Sequence, residues 1–336
     1  MDGLSERKEP MDVKEVAGKF TTNIIGICAF GIECNSFKNP NSEFRKYGRQ
    51  FQSSFKETLK NLIAITIPQV LDVLGIPVNN PAITKFFLGI VRETVDYREK
   101  NNVVRNDFMH LLIQMRNNVK LKDEENAELA AQAFVFFIAG FETSSTTLTF
   151  CFYELVINPE IQERLRDGIE DVLEKHDGKF TYNAVMDMTY LDMCVNEALR
   201  KYPPLPVLTR YCTQSYKVPN SDLVIEKGVQ ICIPSLGIQH DSDYYPDPEK
   251  FDPERFSPEN KSKRHSYASL PFGEGPRVCI GMRFGLMQTK VALAILIKNY
   301  KFSLNSKTQY PLKLDPQCVV SPPLGGIWLN VEKVNG

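Results

Sequence analysis

Apolar residues recur every three or four positions from Asp12 to about Arg200, which predicts a succession of amphipathic helices. The longest of these helices has no proline before Pro159, and at ~1.5 Å per residue it would extend roughly 50 Å. Its most apolar stretch, Leu129–Phe141, is interrupted only by Gln132, so we expect this helix to be buried in the core. The predicted helices are Val13–Phe30, Ser42–Leu62, Asn80–Asn102, Arg105–Asn117 and Asp123–Ile157.

After Tyr202 the chain becomes rich in proline, with short β-like runs at Leu223–Ile225 and Val229–Ile233, which predicts a meander with small sheets. Helical periodicity returns at Gly281–Tyr300, and Val319–Val331 is predicted to form a terminal hairpin. The sequence contains no internal repeat and no linker that would divide it. We therefore predict one mainly α-helical domain over residues 1–336, made of a helical part (12–200), a β-rich meander (201–280) and a final helix with its hairpin (281–336).

Composition argues against several classes of protein. The formal net charge is −1, from 40 basic and 41 acidic side chains, whereas a nucleic-acid-binding protein normally carries a basic excess. Eight cysteines without C-x-x-C spacing, and four histidines without metal-ligand spacing, give no support to a zinc site or a redox dithiol. No stretch reaches the ~18 apolar residues of a membrane-spanning helix, so we expect no anchor within this sequence.

The strongest chemical signal is the segment PFGEGPRVCIG at residues 271–281. Its glycines allow tight turns around Cys279, and a helix is predicted to begin directly after it. Backbone N–H groups and the positive end of a helix both favour the thiolate, which is the form of cysteine that binds metal. Arg277 is placed to meet an anionic group of whatever the thiolate holds. A lone cysteine is more often a buried apolar residue, and a glycine-rich loop can bind a dinucleotide, but here no predicted strand precedes the loop.

With Phe, Gly, Arg, Cys and Gly at these spacings, the segment resembles the haem-binding loop of cytochromes P-450. The resemblance extends from about Asp12 to Lys333 and implies the cytochrome P-450 fold, with a long central helix and haem b at the cysteine loop. It implies that Cys279 is the axial ligand of the haem iron. By itself Arg210 would be taken for a surface arginine, but the resemblance implies that it binds a haem propionate. The other implied cofactor-binding residues are Phe272, Gly273, Arg277, Gly281, Ala139 and Gly140.

A second motif places Glu197 and Arg200 on one face of a predicted helix, three residues apart. Surface pairs of this kind are common and stabilise little, so the motif alone is weak. The resemblance implies that this pair is buried and is joined by Arg255 of the meander. Its expected role is structural, and removing one partner of a buried pair costs ~3–5 kcal/mol.

Within the long predicted helix, the segment AGFETS at residues 139–144 places an acid beside an alcohol in apolar surroundings. The simpler interpretation is a helix that tolerates small residues, with Thr143 bonding back to a carbonyl one turn earlier. Burying Glu142 is costly, however, unless the residue is functional or well satisfied. The resemblance implies an oxygen-binding groove in which Ala139 and Gly140 leave room for O2, Thr143 delivers protons and Glu142 assists it.

The resemblance implies a haem-dependent monooxygenase that inserts one oxygen atom from O2 into a lipophilic small molecule. Electrons are expected from NADPH through a flavoprotein reductase, with cytochrome b5 as a second candidate donor. Lys261, Lys263 and Arg264 are candidate contacts for the reductase, although short basic runs are more often solvated surface. A haem-thiolate rearrangement enzyme and a non-catalytic fragment are the alternatives. The implied pocket residues are Val135, Ile138, Leu205, Leu208 and Val319.

Three segments, Ala131–Ser145, Tyr202–Pro219 and Ser321–Leu329, are most similar to the microsomal, xenobiotic-metabolising branch of the family in insects. That resemblance implies a location at the cytosolic face of the endoplasmic reticulum membrane. Family members carry an anchor, a sheet and several helices before the point that corresponds to the start of this sequence. We therefore expect Met1 to be an internal methionine of a longer protein, and Trp328 lies too late to be the family's haem-contacting tryptophan.

Overall fold

Helices predominate in the computed structural model, which describes residues 1–50, 60, 63, 67–77, 80–119, 125–315 and 322–334. The helices are α1 (Asp2–Arg7), α2 (Val13–Ile25), α3 (Glu43–Gln50), α4 (Pro68–Val73), α5 (Pro81–Lys100), α6 (Phe108–Val119), α7 (Glu125–Ile157), α8 (Pro159–Lys175), α9 (Tyr182–Asp187), α10 (Thr189–Lys201), α11 (Ser235–Gln239), α12 (Pro258–Lys263) and α13 (Met282–Asn299). The strands are β1 (Met11–Asp12), β2 (Leu208–Tyr211), β3 (Tyr216–Lys217), β4 (Val224–Ile225), β5 (Gln230–Ile233), β6 (Tyr300–Leu304) and β7 (Trp328–Lys333). The prediction of a mainly α-helical fold is confirmed.

Side-chain caps mark where α2 and α5 begin. Asp12 precedes α2, and its carboxylate accepts a hydrogen bond from the Glu15 N–H at 3.1 Å. Asn80 caps α5 in the same way through the Ala82 N–H, and Pro81 occupies the first turn, where its missing N–H has no cost. Part of the predicted helix Ser42–Leu62 lies outside the described residues.

The predicted helix Val13–Phe30 is interrupted near its end. Its regular part stops at Ile25, and a π-helical turn, Gly26–Phe30, continues it. Gly31 then ends the helix with φ +71°, a left-handed conformation that glycine adopts without a steric penalty. Apolar periodicity predicts the extent of this helix but does not distinguish an α turn from a π turn.

The chain divides into two compact units, which we describe separately. The first contains residues 1–149 and 303–332, and the second contains residues 150–302 and 333–336. Helix α7 contributes residues to both units. The expectation of a single domain stays a prediction.

An aromatic cluster forms the core of the first unit. Phe30, Phe87 and Phe137 are almost fully buried, and the ring centroids of Phe87 and Phe137 lie 4.9 Å apart. Phe44 meets these rings edge-on, at 5.6 Å from Phe30 and 5.5 Å from Phe137. Such tilted and edge-on arrangements are the favoured geometries of aromatic pairs. One face of the apolar stretch of α7, which includes Ala133, Phe137 and Phe141, is buried in this core, whereas Val135 and Ala139 on another face are exposed.

The core of the second unit lies between α8, α10 and α13, where Leu165, Ile169, Leu293 and Ile297 are almost fully buried. The meander contains two small antiparallel sheets, β2–β5 and β3–β4. It also contains three 3-10 turns, Pro253–Phe256, Ser266–Ala268 and Gly275–Arg277. The prediction of short strands within a proline-rich meander is therefore confirmed.

The predicted terminal hairpin, Val319–Val331, lies partly outside the described residues. Residues 316–321 lie outside the described part, and β7 is the central strand of a three-stranded sheet in the order β1–β7–β6. Met11 lies opposite Leu329, and Asp12 lies opposite Trp328. The partner β1 comes from the other end of the sequence, and local alternation of residues cannot predict such a long-range pairing.

By length and composition, one segment within the described residues, Glu128–Ile157, is apolar enough to cross a membrane. Of its most apolar window, 56% is buried inside the protein. A buried core helix passes the same test, so the finding is weak support for a membrane span.

Two helical glycines of the first unit provide a test of this packing. A side chain added at Gly26 would lie 2.2 Å from the Cys34 sulfur and 2.9 Å from the Ile32 carbonyl oxygen, whereas at Gly89 it would meet nothing within 4 Å. We expect Gly26→Ala to lower the free energy of unfolding by ~1–3 kcal/mol through overpacking. Gly89→Ala should instead raise it by about 0.5–1 kcal/mol, since alanine favours a helix. Urea titrations measure both, and equal effects would contradict the packing around Gly26.

Candidate functional site

A tight loop in the second unit presents Cys279 just before α13. The Cys279 N–H donates to the Phe272 carbonyl at 2.9 Å, and the Val278 N–H donates to the Gly275 carbonyl at 3.0 Å. Gly273 and Gly275 have φ values of +70° and +79°, which side chains with a Cβ rarely adopt. These two glycines are therefore required by the backbone of this loop.

The cysteine side chain is exposed and has apolar neighbours in sequence. Val278 is 40% exposed and Ile280 is 87% exposed, so both side chains are available to an apolar group. Gly281 is the N-cap of α13, and a side chain there would lie 4.0 Å from the Cys279 sulfur. The sulfur thus lies near the positive end of an 18-residue helix, where negative charge is stabilised.

Strand β2 places two further predicted residues beside the loop. A side chain added at Gly273 would come within 3.6 Å of the Arg210 guanidinium and 3.9 Å of the Leu208 side chain. Both residues belong to one strand and are two positions apart, so they project from the same face. Leu205, just before the strand, is 43% exposed, and Arg277 is exposed as well.

The residues of the second unit fit a haem. Haem is a flat apolar ring that carries an iron atom and two carboxylates. Cys279 offers an exposed sulfur ligand, Leu208 offers an apolar contact, and Arg210 and Arg277 offer cations for the carboxylates. Gly273 lacks the side chain that would fill the space beside Arg210. The donor set and the shape of the loop therefore both suit this cofactor.

The predicted triad of the second unit is assembled and buried. Arg200 donates to both carboxylate oxygens of Glu197, at 2.7 and 2.9 Å, and neither side chain is exposed to solvent. The Arg255 Nε lies 3.4 Å from Glu197 Oε1, and the Asp252 N–H donates to the same oxygen at 3.0 Å. Burial raises the pKa of Glu197, while Arg200 and Arg255 counteract that rise. The carboxylate therefore joins α10 to the meander.

Gln239 connects this triad to the segment that leads into the cysteine loop. It is fully buried, donates to the Arg200 carbonyl at 2.9 Å, and accepts from the Leu270 N–H at 2.8 Å. Leu270 stands two residues before Phe272, whose carbonyl holds the Cys279 N–H. The sequence analysis missed Gln239, because an isolated glutamine without a motif gives no signal of burial.

Tyr245 and Arg264 form a second contact within the meander that the sequence did not predict. The Arg264 guanidinium lies 4.3 Å from the Tyr245 ring centroid, and that of Arg200 lies 5.2 Å from it. Arg264 also donates to the Arg255 carbonyl at 3.1 Å. Arg264 therefore stabilises the meander, and because it is partly exposed it stays a candidate contact for the reductase. Lys261 and Lys263, at the end of α12, are exposed.

In the first unit, Glu142 and Thr143 have different partners. The Thr143 hydroxyl donates to the Ala139 carbonyl one turn earlier, which is the local bond that the sequence allowed for. Glu142 Oε1 forms an ion pair with Lys14 Nζ at 2.8 Å. Lys14 belongs to α2 and was not predicted, since nothing in the sequence identifies one lysine as the partner of a distant acid.

Helix α2 also explains the small residue at position 140. A side chain at Gly140 would lie 2.5 Å from Cδ1 of Ile25, so a larger residue there would require the Ile25 side chain to move. This packing role was not anticipated, and it stands beside the expected role of leaving room for O2. Val135 is 57% exposed and Ala139 is exposed, with Ile138 partly exposed on the same helix face.

The two groups of predicted residues lie in different units. Cys279, its loop and Arg210 belong to the second unit, whereas Glu142 and Thr143 belong to the first. Val319, a predicted pocket residue, lies outside the described residues. The contacts of each group therefore come from its own unit.

Comparison with known proteins identifies relatives along almost the whole chain. A family model described as "Cytochrome P450" matches residues 2–330. "Probable cytochrome P450 6a13" of Drosophila melanogaster is 47% identical over 96% of this chain and 66% of its own length. "Cytochrome P450 6a2" of the same organism is 43% identical with the same two coverages. The chain thus spans about two thirds of the length of these relatives. The predicted family and its insect branch are confirmed.

The buried triad allows a matched pair of substitutions. Glu197→Gln leaves Arg200 and Arg255 buried without a counter-charge, and we expect it to lower the free energy of unfolding by ~3–5 kcal/mol. Glu259→Gln removes the acid of another helical ion pair, which Glu259 forms with Lys263. The Glu259 side chain is 79% exposed and that of Lys263 is 63% exposed. We expect no measurable change there, because exposed pairs stabilise little. Similar urea midpoints for the two variants would contradict a buried triad.

Proposed function

The chain belongs to the cytochrome P450 family, and from this premise we propose that it is a haem-dependent monooxygenase. It would insert one oxygen atom from O2 into a lipophilic small molecule, with electrons derived from NADPH. The observation that carries the proposal is the exposed Cys279 thiol, held before α13 by a loop whose glycines adopt positive φ angles. Family membership and this loop support the same cofactor.

Cys279 would ligate the iron of haem b, and Arg210 and Arg277 would pair with its two carboxylates. When bound, the haem supplies the iron at which O2 is activated. A cysteine thiolate donates electron density to that iron and favours cleavage of the O–O bond. Phe272, Gly273 and Gly281 shape the loop, and the triad and Gln239 hold the meander that leads into it.

Glu142 and Thr143 would supply protons to the oxygen that leaves as water. The Thr143 hydroxyl holds its proton on the Ala139 carbonyl oxygen, from which rotation about one bond would direct it elsewhere. Glu142 is the acid partner in this relay, and its carboxylate is fixed by Lys14. Correctly placed acids and bases of this kind typically contribute 10²–10⁴-fold to a rate.

Apolar side chains in each unit support the proposed class of substrate. In the first unit, Val135, Ile138 and Ala139 are at least partly open to solvent, and we propose that they contact a lipophilic molecule. In the second unit, the partly open Leu205 and Leu208 are proposed contacts as well. Val319 is a further proposed wall residue. Foreign lipophilic compounds are the proposed substrates, in keeping with the xenobiotic-metabolising branch.

We propose an NADPH-dependent flavoprotein reductase as the electron donor, with cytochrome b5 as an additional donor. The exposed Lys261 and Lys263 and the partly exposed Arg264 are proposed contacts for an acidic partner surface. The proposed location is the cytosolic face of the endoplasmic reticulum membrane.

A carbon monoxide difference spectrum tests the ligand directly. The chain is supplemented with haem and reduced with dithionite, and we expect a strongly red-shifted Soret band that Cys279→Ala abolishes. Cys232→Ala is the matched control, because Cys232 is also an exposed free thiol of the second unit but lies on β5. The proposal would be wrong if Cys279→Ala kept the band, or if both variants lost it alike.

Thr143→Val tests the proton relay, since it removes the hydroxyl and keeps the shape of the side chain. With reductase, NADPH and a lipophilic substrate, we expect product per NADPH to fall by about tenfold or more, with O2 returned as hydrogen peroxide. Thr147→Val is the control one turn later, where the hydroxyl donates to the Thr143 carbonyl at 2.9 Å. Product formation without NADPH or O2 would instead favour a haem-thiolate rearrangement enzyme.

A further inference from the structure

Lys14, near the start of α2, places its ammonium group among three side-chain acceptors of a single helix, and the Glu142 carbonyl oxygen lies 3.5 Å from its Nζ. Its Nζ lies 2.8 Å from Glu142 Oε1, 2.9 Å from the Ser145 hydroxyl and 2.6 Å from the Thr146 hydroxyl. The Lys14 and Glu142 side chains are only 16% and 15% exposed. An ammonium has three N–H donors, so these three contacts on α7 satisfy all of them.

Three anchoring contacts restrict the acid as well as the lysine. A lysine side chain normally has large rotational freedom, and its loss costs conformational entropy. Here the two hydroxyls fix the position of the Lys14 ammonium, and the ammonium in turn fixes one oxygen of Glu142. The carboxylate is thereby held at a fixed point on α7 instead of sampling several rotamers.

Charge makes the two groups depend on each other. Burial lowers the pKa of Lys14, and the nearby Glu142 carboxylate opposes that effect. Arg45, which faces Lys14 from α3, lowers the pKa further but is itself paired with Glu15 at 2.6 Å. Asp12, at the end of β1, opposes the lowering of this pKa. Removing either member of the pair would therefore leave the other poorly compensated in a mostly buried site.

The same face of α2 contacts the turn of α7 that carries the proposed relay. Thr21 stands seven residues after Lys14, which is two helical turns, and its hydroxyl reaches the Phe141 carbonyl at 3.2 Å. Ile25 follows one turn later, and its side chain packs against Gly140. Helix α2 therefore fixes α7 immediately before and at the acid.

We propose that Lys14 is a positioning residue that holds the Glu142 carboxylate in place beside Thr143 for proton delivery. The inference rests on the proposed function of the Glu142–Thr143 relay. It adds a cation from another helix that touches neither substrate nor cofactor and acts only through the acid.

The first test needs no turnover and uses the full chain. Lys14→Met, Glu142→Gln and the double variant are compared by urea unfolding. We expect each single variant to lower the unfolding midpoint, and the double variant to recover most of that loss because no unpaired charge remains. Losses that simply add in the double variant would overturn the pairing.

The second test separates positioning from stability. With reductase, NADPH and a lipophilic substrate, Lys14→Met should reduce product per NADPH several-fold and enlarge the solvent deuterium isotope effect on product formation. Lys14→Arg keeps the charge and should restore much of both. The control is Lys19→Met on the same helix. Lys19 pairs with Glu15 at 3.5 Å, and its substitution should leave both readouts unchanged.

The outcomes distinguish the two proposals. If the unmodified chain with haem and reductase forms no product, the proposed function fails, while the unfolding cycle still decides whether Lys14 fixes Glu142. If that chain is active and Lys14→Met has the same coupling and isotope effect as Lys19→Met, Lys14 has no positioning role and the inference is overturned.

Discussion

The buried ion pair between Glu197 and Arg200 is the contact on which the meander depends. Both side chains are fully excluded from solvent, so each charge requires the other, and neither can move without a large cost. Gln239 extends the constraint from Arg200 to the Leu270 N–H, only two residues before the loop that ends at Cys279. A salt bridge that performs no chemistry thus fixes the segment that leads to the proposed ligand.

The same physical constraint recurs along α7. This helix carries Glu142 in the first unit and Glu154 in the second, and each acid is paired with a lysine from another helix. Glu154 is fully buried and contacts Lys201 at 2.8 Å and the Tyr202 hydroxyl at 2.6 Å. A long apolar helix can bury an acid only where a partner supplies a counter-charge. Lys14 and Lys201 supply that charge to these two acids of α7.

Much of the fold could be predicted because it is encoded locally. The helix predicted at Asn80–Asn102 is observed at Pro81–Lys100, since an asparagine cap and a proline mark its start. The tight turns before the cysteine were predictable from Gly273 and Gly275, which have the positive φ angles that such turns require. The partners Lys14 and Gln239 were not predictable, because the sequence offers 40 basic residues to a buried acid and no local pattern selects among them. Contacts between residues far apart in sequence select these partners, as they do for the pairing of β7 with β1.

The central claim, that Cys279 binds the haem iron, is tested most directly by thiol labelling with and without haemin. Cys279 and Cys232 are both exposed in the second unit, so an alkylating reagent should modify both in the haem-free chain. Peptide mass spectrometry then follows each thiol in the same sample. The account predicts that haemin protects Cys279 and leaves the labelling of Cys232 unchanged. Equal labelling of the two cysteines in the haem-loaded chain would contradict it.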